Sequence, residues 1–153
     1  MVCGVPVAPM ADFFVIDKGA MEELVQSPFV FTSSDGRAVW TRKNYTDPRE
    51  TGSFVRKLRT YAIDRGMLSL QDAILSMSSR PAEKYGLSGR GKIATGYFAD
   101  LSVIDLARLR DLSTYSKPTL YAEGVVHVLV NGVLEVENGA LTGARGGRAC
   151  RRG

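Results

Sequence analysis

The segment that most constrains this chain is a short apolar run, residues 28–31, followed by the turn residues Ser34, Asp35 and Gly36. An apolar run bounded by Pro and Gly is typical of a strand buried on both faces of a parallel sheet. In α/β barrels, catalytic side chains project from the C-terminal ends of such strands. The pattern therefore predicts that Asp35 is an active-site acid or base. The alternative is structural, because Ser-Asp-Gly is also ordinary turn chemistry.

Helical spacing predicts three helices upstream of Gly86. The first covers residues 53–65 and ends at Gly66, a residue type common just after a helix. The second begins after Ser69 in a capping-box pattern, and the third ends at Gly86. The apolar stripes of the first two are Phe54, Leu58, Tyr61 and Ala62, then Leu70, Ala73, Ile74 and Met77.

Beyond Gly86 the periodicity changes to the two-residue alternation of strands, so we predict two parts, residues 1–88 and 89–153. The second part contains the alternating run 125–130, and two Asn-Gly pairs, at 131–132 and 138–139, are typical of tight hairpin turns. These features predict one small sheet. The intervening residues 106–121 have no clean period and are predicted to be a long connection.

Three blocks of residues resemble, in order and spacing, the C-terminal part of the N-acyl-D-amino-acid deacylases, the D-aminoacylases of the amidohydrolase superfamily. The blocks are residues 22–36, residues 89–105, and residues 127–132 with 141–143 and the closing arginines. The resemblance implies an α/β fold: the last strand and outer helices of a (β/α)8 barrel, followed by a small β-sheet subdomain. Because a complete barrel takes about 250 residues, the barrel is expected to be incomplete within these 153 residues.

The same resemblance implies zinc-dependent hydrolysis of N-acyl-D-amino acids to a carboxylate and a D-amino acid. Asp35 matches the family's general base. Asp47, Pro48 and Arg49 stand where the family has His-Pro-Arg, so an acidic side chain replaces an imidazole. Arg49 is the candidate to bind a substrate carboxylate, and a solvated loop arginine is the alternative.

Metal ligands are scarce in the sequence. His127 is the only histidine, and Cys3 and Cys150 lie near opposite ends of the chain. A catalytic zinc takes about three protein ligands, and the family's zinc-binding histidines and cysteine lie upstream of the resembling segment. His127 falls in the alternating run, so we expect it to be packed or half-exposed. We therefore predict no metal site, and no activity, in this chain alone; the alternative is a non-catalytic assembly or binding module.

The net charge of +4 comes from the tail, because Arg145, Arg148, Arg151 and Arg152 account for all of it. A basic tail binds polyanions non-specifically, but we do not expect nucleic acid as a partner. Two cysteines indicate a reducing compartment, so the cytoplasm is expected, and no apolar run reaches the length of a membrane span. The expected partners are the N-acyl-D-amino acid substrate and either a second copy of the chain or an upstream barrel polypeptide.

Overall fold

A computed structural model describes residues 17–36 and 47–150 of the chain. The first helix, α1 (Lys18–Gln26), is capped by the Asp17 carboxylate, which accepts hydrogen bonds from the N–H groups of Gly19 and Ala20. The second half of helix α1 lies in the first resembling block, directly before the Pro28 turn. It thereby leads the chain into the segment that carries Asp35.

The three helices predicted upstream of Gly86 are confirmed. Helix α2 (Arg49–Arg56) continues directly as a π-helix (Lys57–Asp64), and we call the two together the long helix. It is followed by α3 (Leu70–Met77) and α4 (Ser79–Tyr85). The Ser69 hydroxyl accepts the Asp72 N–H at 2.9 Å, as a capping residue does. Gly86 ends α4 with φ of +67°, a backbone conformation that costs glycine little.

The apolar stripes of these helices are confirmed in part, because Leu58, Ala62 and Ala73 are buried as predicted. Phe54 and Ile74 are exposed by 44% and 46%, whereas Val55 takes the buried place in the long helix. The physical reason is Leu109, which is fully buried and forms the core together with four helix residues. The helix residues in this core cluster are Val55, Leu58, Ala62 and Ala73. The helix face that meets Leu109 is therefore the buried one.

The predicted small sheet is confirmed as four antiparallel strands in the order β1-β2-β3-β4. The strands are β1 (Leu101–Ile104), β2 (Val125–Val130), β3 (Val133–Glu137) and β4 (Ala140–Leu141). Asn131 and Asn138, each followed by a glycine, have φ of +50° and +51° and form the two tight turns.

The expected long connection between β1 and β2 has no helix, only isolated bridges such as Arg110 with Glu123. It nevertheless contributes Leu109 to the core, which the sequence pattern did not reveal. Ile104 and Val125 of the sheet also pack against this core. The helices and the sheet therefore share one apolar centre, and the division at residues 88 and 89 stays a prediction.

Residues 28–31 do not form the predicted buried strand. Residues 28–29 are a turn, Phe29 is 89% exposed, and residues 30–36, which we call the Asp35 segment, have no sheet pairing in the described chain. A strand needs a neighbour to accept and donate its backbone hydrogen bonds. Among the described residues no neighbouring strand lies beside this segment, so the apolar sequence alone does not make it a strand.

None of the helices in the described ranges is both long enough and apolar enough to cross a membrane.

Candidate functional site

Asp35 lies at the end of the Asp35 segment with its side chain 84% exposed. Its φ is +48°, in the left-handed region that Asp tolerates better than most residues. Two serine side chains support this turn: the Asp35 N–H donates to Ser33 Oγ at 3.4 Å, and the Gly36 N–H donates to Ser34 Oγ at 3.1 Å. The backbone hydrogen bonds of the turn are thus local, and the Asp35 carboxylate projects outward.

Arg49 connects Asp35 to Asp47. Its Nη2 lies 3.3 Å from Asp35 Oδ2, and its Nε lies 3.4 Å from Asp47 Oδ2. Asp47 also accepts the Arg49 backbone N–H at 2.9 Å, directly before helix α2. The structure therefore brings together the three residues that the sequence singled out. Because Asp35 and Arg49 are exposed, their ion pair contributes only about 0–1 kcal/mol.

A groove of about 630 Å³ lies beside this cluster, between α1, the start of the Asp35 segment and the long helix. Arg49 and Asp47 line it, and Arg49 is the residue that joins it to Asp35. Apolar side chains line the groove together with basic and aromatic ones. Among the lining residues, the apolar ones include Met21, Leu24, Val25, Val30 and Phe31, and the basic and aromatic ones include Arg56, Lys57, Tyr61 and Tyr115.

Lys57, which also lines the groove, was not predicted as a functional residue. It is only 6% exposed, and its Nζ donates to Thr32 Oγ1 in the Asp35 segment at 2.8 Å. Burial lowers the pKa of the Lys57 ammonium, and the positive charge of Arg80 lowers it further. The sequence contains one indication that Lys57 is buried, because Lys57 directly precedes Leu58 of the apolar stripe. A lysine beside a stripe is usually solvated, however, so this signal is weak.

No group of three His, Cys, Asp or Glu residues in the described ranges could hold a metal ion. His127 is half-buried in β2, where it pairs with Val103, and its Nδ1 accepts the Asn138 N–H at 3.4 Å. Cys150 is exposed, and Cys3 lies outside the described residues. The donor set on these residues does not fit a zinc site. We therefore derive no reaction step through a metal.

A second polar cluster joins the last two resembling blocks to each other. Arg90 forms an ion pair with Asp100 and donates to Asn131 Oδ1 at 2.6 Å, while the Asn131 N–H donates to Asp100 Oδ1 at 2.7 Å. Burial tends to raise the pKa of Asp100, but the bonds from Asn131 and Arg90 outweigh it and hold that pKa below its usual value. This cluster holds the loop before β1 against the β2–β3 turn.

Part of the basic tail packs on the protein. The guanidinium groups of Arg90 and Arg148 lie 4.3 and 4.5 Å from the centre of the Phe98 ring, within cation–π distance. Arg151 and Arg152 lie outside the described residues. Arg148 therefore has a structural contact that accounts for its place in the tail.

Comparison with known proteins identifies the family. The amidohydrolase family model matches residues 10–135. The chain is 36% identical over 142 residues to D-aminoacylase of Alcaligenes xylosoxydans xylosoxydans, covering 93% of this chain and 29% of that protein. It is 35% identical over 122 residues to N-acyl-D-glutamate deacylase of the same organism, covering 80% and 24%. The chain belongs to the amidohydrolase family.

Solved structures agree with this assignment and confirm the resemblance to D-aminoacylases. A crystal structure of D-aminoacylase matches 90% of this chain and 28% of its own, with a TM-score of 0.82 at 33% identity. N-acyl-D-glutamate deacylase from Bordetella bronchiseptica, complexed with zinc and a phosphonate inhibitor, matches with a TM-score of 0.71 at 32% identity, over 78% of this chain and 24% of that one. The chain spans less than a third of the length of these relatives.

Proposed function

We propose that this chain supplies the general-base aspartate, Asp35, of a zinc-dependent amidohydrolase that hydrolyses N-acyl-D-amino acids to a carboxylate and a D-amino acid. In this proposal the chain corresponds to the C-terminal part of a D-aminoacylase. The zinc ligands come from barrel residues upstream of the resembling segment, on another polypeptide or on a further part of the same one. In this proposal the chain alone is catalytically inactive.

The observation that carries the proposal is the presentation of Asp35. Its carboxylate is exposed, stands on a backbone in the left-handed region, and has Arg49 as its ionic partner. Backbone conformations of this kind concentrate at functional sites, although Asp adopts them at lower cost than most residues. A general base must reach within about 2.6–3.2 Å of the proton that it removes. An outward carboxylate on a supported turn can meet a water and a substrate held by another surface.

The chain's own residues have two roles in this reaction. Asp35 takes a proton from the attacking water and passes it to the leaving amine, the two proton transfers that amide hydrolysis needs. Arg49, which forms an ion pair with Asp35, either orients Asp35 or exchanges that contact for the carboxylate of the substrate. Since Asp47 also contacts Arg49, the guanidinium keeps one anionic partner during the exchange.

One of the similar solved structures concerns the metal directly. It is a structure of D-aminoacylase that addresses the role of its binuclear metal centre, with activation by one metal and attenuation by the second. That metal chemistry comes to this chain only through the family. We propose that zinc binds when a barrel polypeptide provides the ligands, in agreement with the poor donor set of the described residues.

A second candidate function is a non-catalytic assembly or binding module. The observation that favours it is exposed apolar surface, because Phe29 and Ile93 are 89% and 90% exposed. Exposed apolar side chains are typical of surfaces that associate with another chain. The two candidate functions differ in one expectation. Once a partner is bound, turnover depends on Asp35 if the chain is part of an enzyme, and does not if it is an assembly or binding module.

The test is complementation with a barrel polypeptide that carries the zinc ligands of a D-aminoacylase. We expect the chain alone to retain much less than one equivalent of zinc after dialysis and to show no turnover of N-acetyl-D-amino acids. The mixture should turn over these substrates, and Asp35→Asn should lower kcat by about 100-fold or more. Glu83→Gln, on the exposed face of α4, is the control and should leave turnover unchanged.

Two outcomes contradict the proposal. Metal-dependent turnover by the chain alone, abolished by Asp35→Asn, would show that it contains zinc ligands of its own. Turnover of the mixture that is insensitive to Asp35→Asn would exclude Asp35 as the base and favour the assembly module.

A further inference from the structure

The Asp35 segment is attached to the helices through Thr32, three residues before Asp35. The Thr32 N–H donates to the Ser76 carbonyl oxygen at 3.1 Å, and the Thr32 hydroxyl lies 3.4 Å from Ser76 Oγ. Ser76 is 2% exposed, so this attachment is inside the protein. Thr32 is therefore a fixed point for the chain that leads to Asp35.

The directions of the hydrogen bonds at Thr32 leave the lone pairs of its hydroxyl oxygen to accept a hydrogen bond from Lys57. The Ser76 hydroxyl donates its proton to the Ala73 carbonyl oxygen at 2.7 Å, so in the contact between the two hydroxyls the proton comes from Thr32. The lone pairs of Thr32 Oγ1 then accept the Lys57 ammonium. Lys57, Thr32, Ser76 and Ala73 form one directed series of hydrogen bonds from the long helix to α3.

The spacing of contacts along the helix is similar to the spacing along the segment, and slightly longer. Arg49 and Lys57 are eight residues apart on one continuous helix, about 12 Å along its axis. Thr32 and Asp35 are three residues apart, at most about 10 Å in a stretched chain. Lys57 contacts Thr32 and Arg49 contacts Asp35. The helix therefore holds the Asp35 segment at two points.

The two contacts are unequal. Arg49 and Asp35 are exposed, and their ion pair is weak for that reason. Lys57 is buried, no carboxylate forms an ion pair with it in the described ranges, and its hydrogen bond crosses from helix to segment. If the buried ammonium made no stabilising contact, an apolar side chain in its place would cost no stability, because desolvating the charge is itself costly. In this structure the buried ammonium holds Thr32 of the Asp35 segment.

We propose that Lys57 is a positioning residue for the Asp35 base: by holding Thr32 it fixes where the Asp35 carboxylate stands. The catalytic part of this inference depends on the proposed function, and the structural part does not. Lys57 does not contact the reacting atoms; it acts through Thr32 and the backbone of residues 33–35.

The structural test measures amide exchange in Lys57→Met and in Thr32→Val, which removes the hydroxyl while keeping the shape of the side chain. Each variant should raise the exchange rate of the Thr32 amide by about tenfold, the scale of one hydrogen bond to a charged group. The double variant should raise it no further, because both changes break the same contact. Exchange in β2 and β3 should be unchanged, and Thr32→Ser should restore the slow rate.

The catalytic test uses the complemented enzyme. Lys57→Met should lower kcat by about tenfold with little change in KM, because the base is misplaced while substrate binding is retained. Lys84→Met, on the exposed face of α4, is the matched control and should change neither constant.

Each result has a separate meaning. An unchanged Thr32 exchange rate in Lys57→Met, or additive effects in the double variant, would overturn the positioning role whether or not the mixture is active. A tenfold change in exchange together with an unchanged kcat would overturn its catalytic part. Failure of the proposed function itself would appear instead as a complemented enzyme insensitive to Asp35→Asn.

Discussion

The four-stranded sheet and the Asp35 segment differ in where their backbone polar groups find partners. Strand β2 pairs with β1 on one side and β3 on the other. In the Asp35 segment, Thr32 bonds to a helix carbonyl, while the amides of Asp35 and Gly36 bond to serine hydroxyls two residues earlier. The central strands β2 and β3 have a strand partner on both sides, whereas the segment is held at a few points. The proposed catalytic residue therefore belongs to the less supported region.

We expect the largest loss of stability where the sheet meets the helical core around Leu109, the core that also carries the Asp35 segment. Gly124, at the start of β2, has φ of +83°, and a Cβ there would lie 2.5 Å from backbone atoms of Leu109. Gly124→Ala should lower the free energy of unfolding by about 3 kcal/mol or more, through backbone strain and overpacking together. Gly132→Ala is the control, because φ is +80° there but nothing lies within 4 Å. It should cost about 1–2 kcal/mol, as measured by chemical denaturation. Equal losses would show that Leu109 and the sheet are not tightly packed.

The polar cluster on the sheet side is expected to contribute less. Asp100→Asn weakens the ion pair with Arg90, whose side chain is 13% exposed, and should cost about 1–2 kcal/mol. Because the pKa of Asp100 is lowered in the folded state, its contribution is present above the ordinary carboxyl pKa of about 3.9 and is lost as pH falls through the lower folded value. Unfolding measured between pH 2 and 7 should show this loss in the native protein and not in Asp100→Asn. Asp64→Asn, in the exposed pair with Arg59, should change stability by under about 1 kcal/mol.

Lys57 should give a pH dependence of the same sign as that of Asp100, but in the alkaline range. Because its pKa is lowered in the folded state, the unfolded chain binds the proton more tightly. Stability should therefore rise as pH increases from the lowered folded value towards the ordinary value near 10.4. Lys57→Met should not show this rise, so the stability difference between the two proteins should shift in favour of the native one at alkaline pH. A difference that is constant from pH 7 to 10.5 would contradict a buried, charged Lys57.

Phe29 should have the smallest effect on folding. It is 89% exposed, so Phe29→Ser should change the free energy of unfolding by less than about 0.5 kcal/mol. The same change should weaken association, because exposed apolar groups near the unpaired segment are the expected contact with a partner chain. Sedimentation at micromolar concentration measures this association. A marked loss of stability without change in association would mean that Phe29 packs within its own chain.

The sequence was sufficient for structure that depends on local signals. The Ser69 cap, the terminating Gly86 and the two Asn-Gly turns place their elements through interactions within a few residues. It was insufficient where distant contacts decide. Leu109 has no periodic neighbours to indicate its burial, and the face of the long helix that it covers could not be inferred without it.

The candidate site was likewise predicted only in part from the sequence. Asp35, Asp47 and Arg49 were found from turn chemistry and family resemblance, and they lie together. Lys57 was missed, because its function depends on Thr32, 25 residues away in sequence. The apolar run at residues 28–31 was misread as a formed strand, since composition shows a preference for pairing but not the presence of a partner.

Amide hydrogen exchange across the whole chain tests the difference between the two regions most directly. We expect the amides of β2 and β3 to exchange at least about 100-fold more slowly than those of residues 30–31 and 33–36, with Thr32 intermediate. Addition of the complementing barrel polypeptide should slow exchange in residues 30–36 and leave the sheet unchanged. Equal protection of the two regions in the chain alone, or no slowing on complementation, would contradict the account of an Asp35 segment that is completed by a partner.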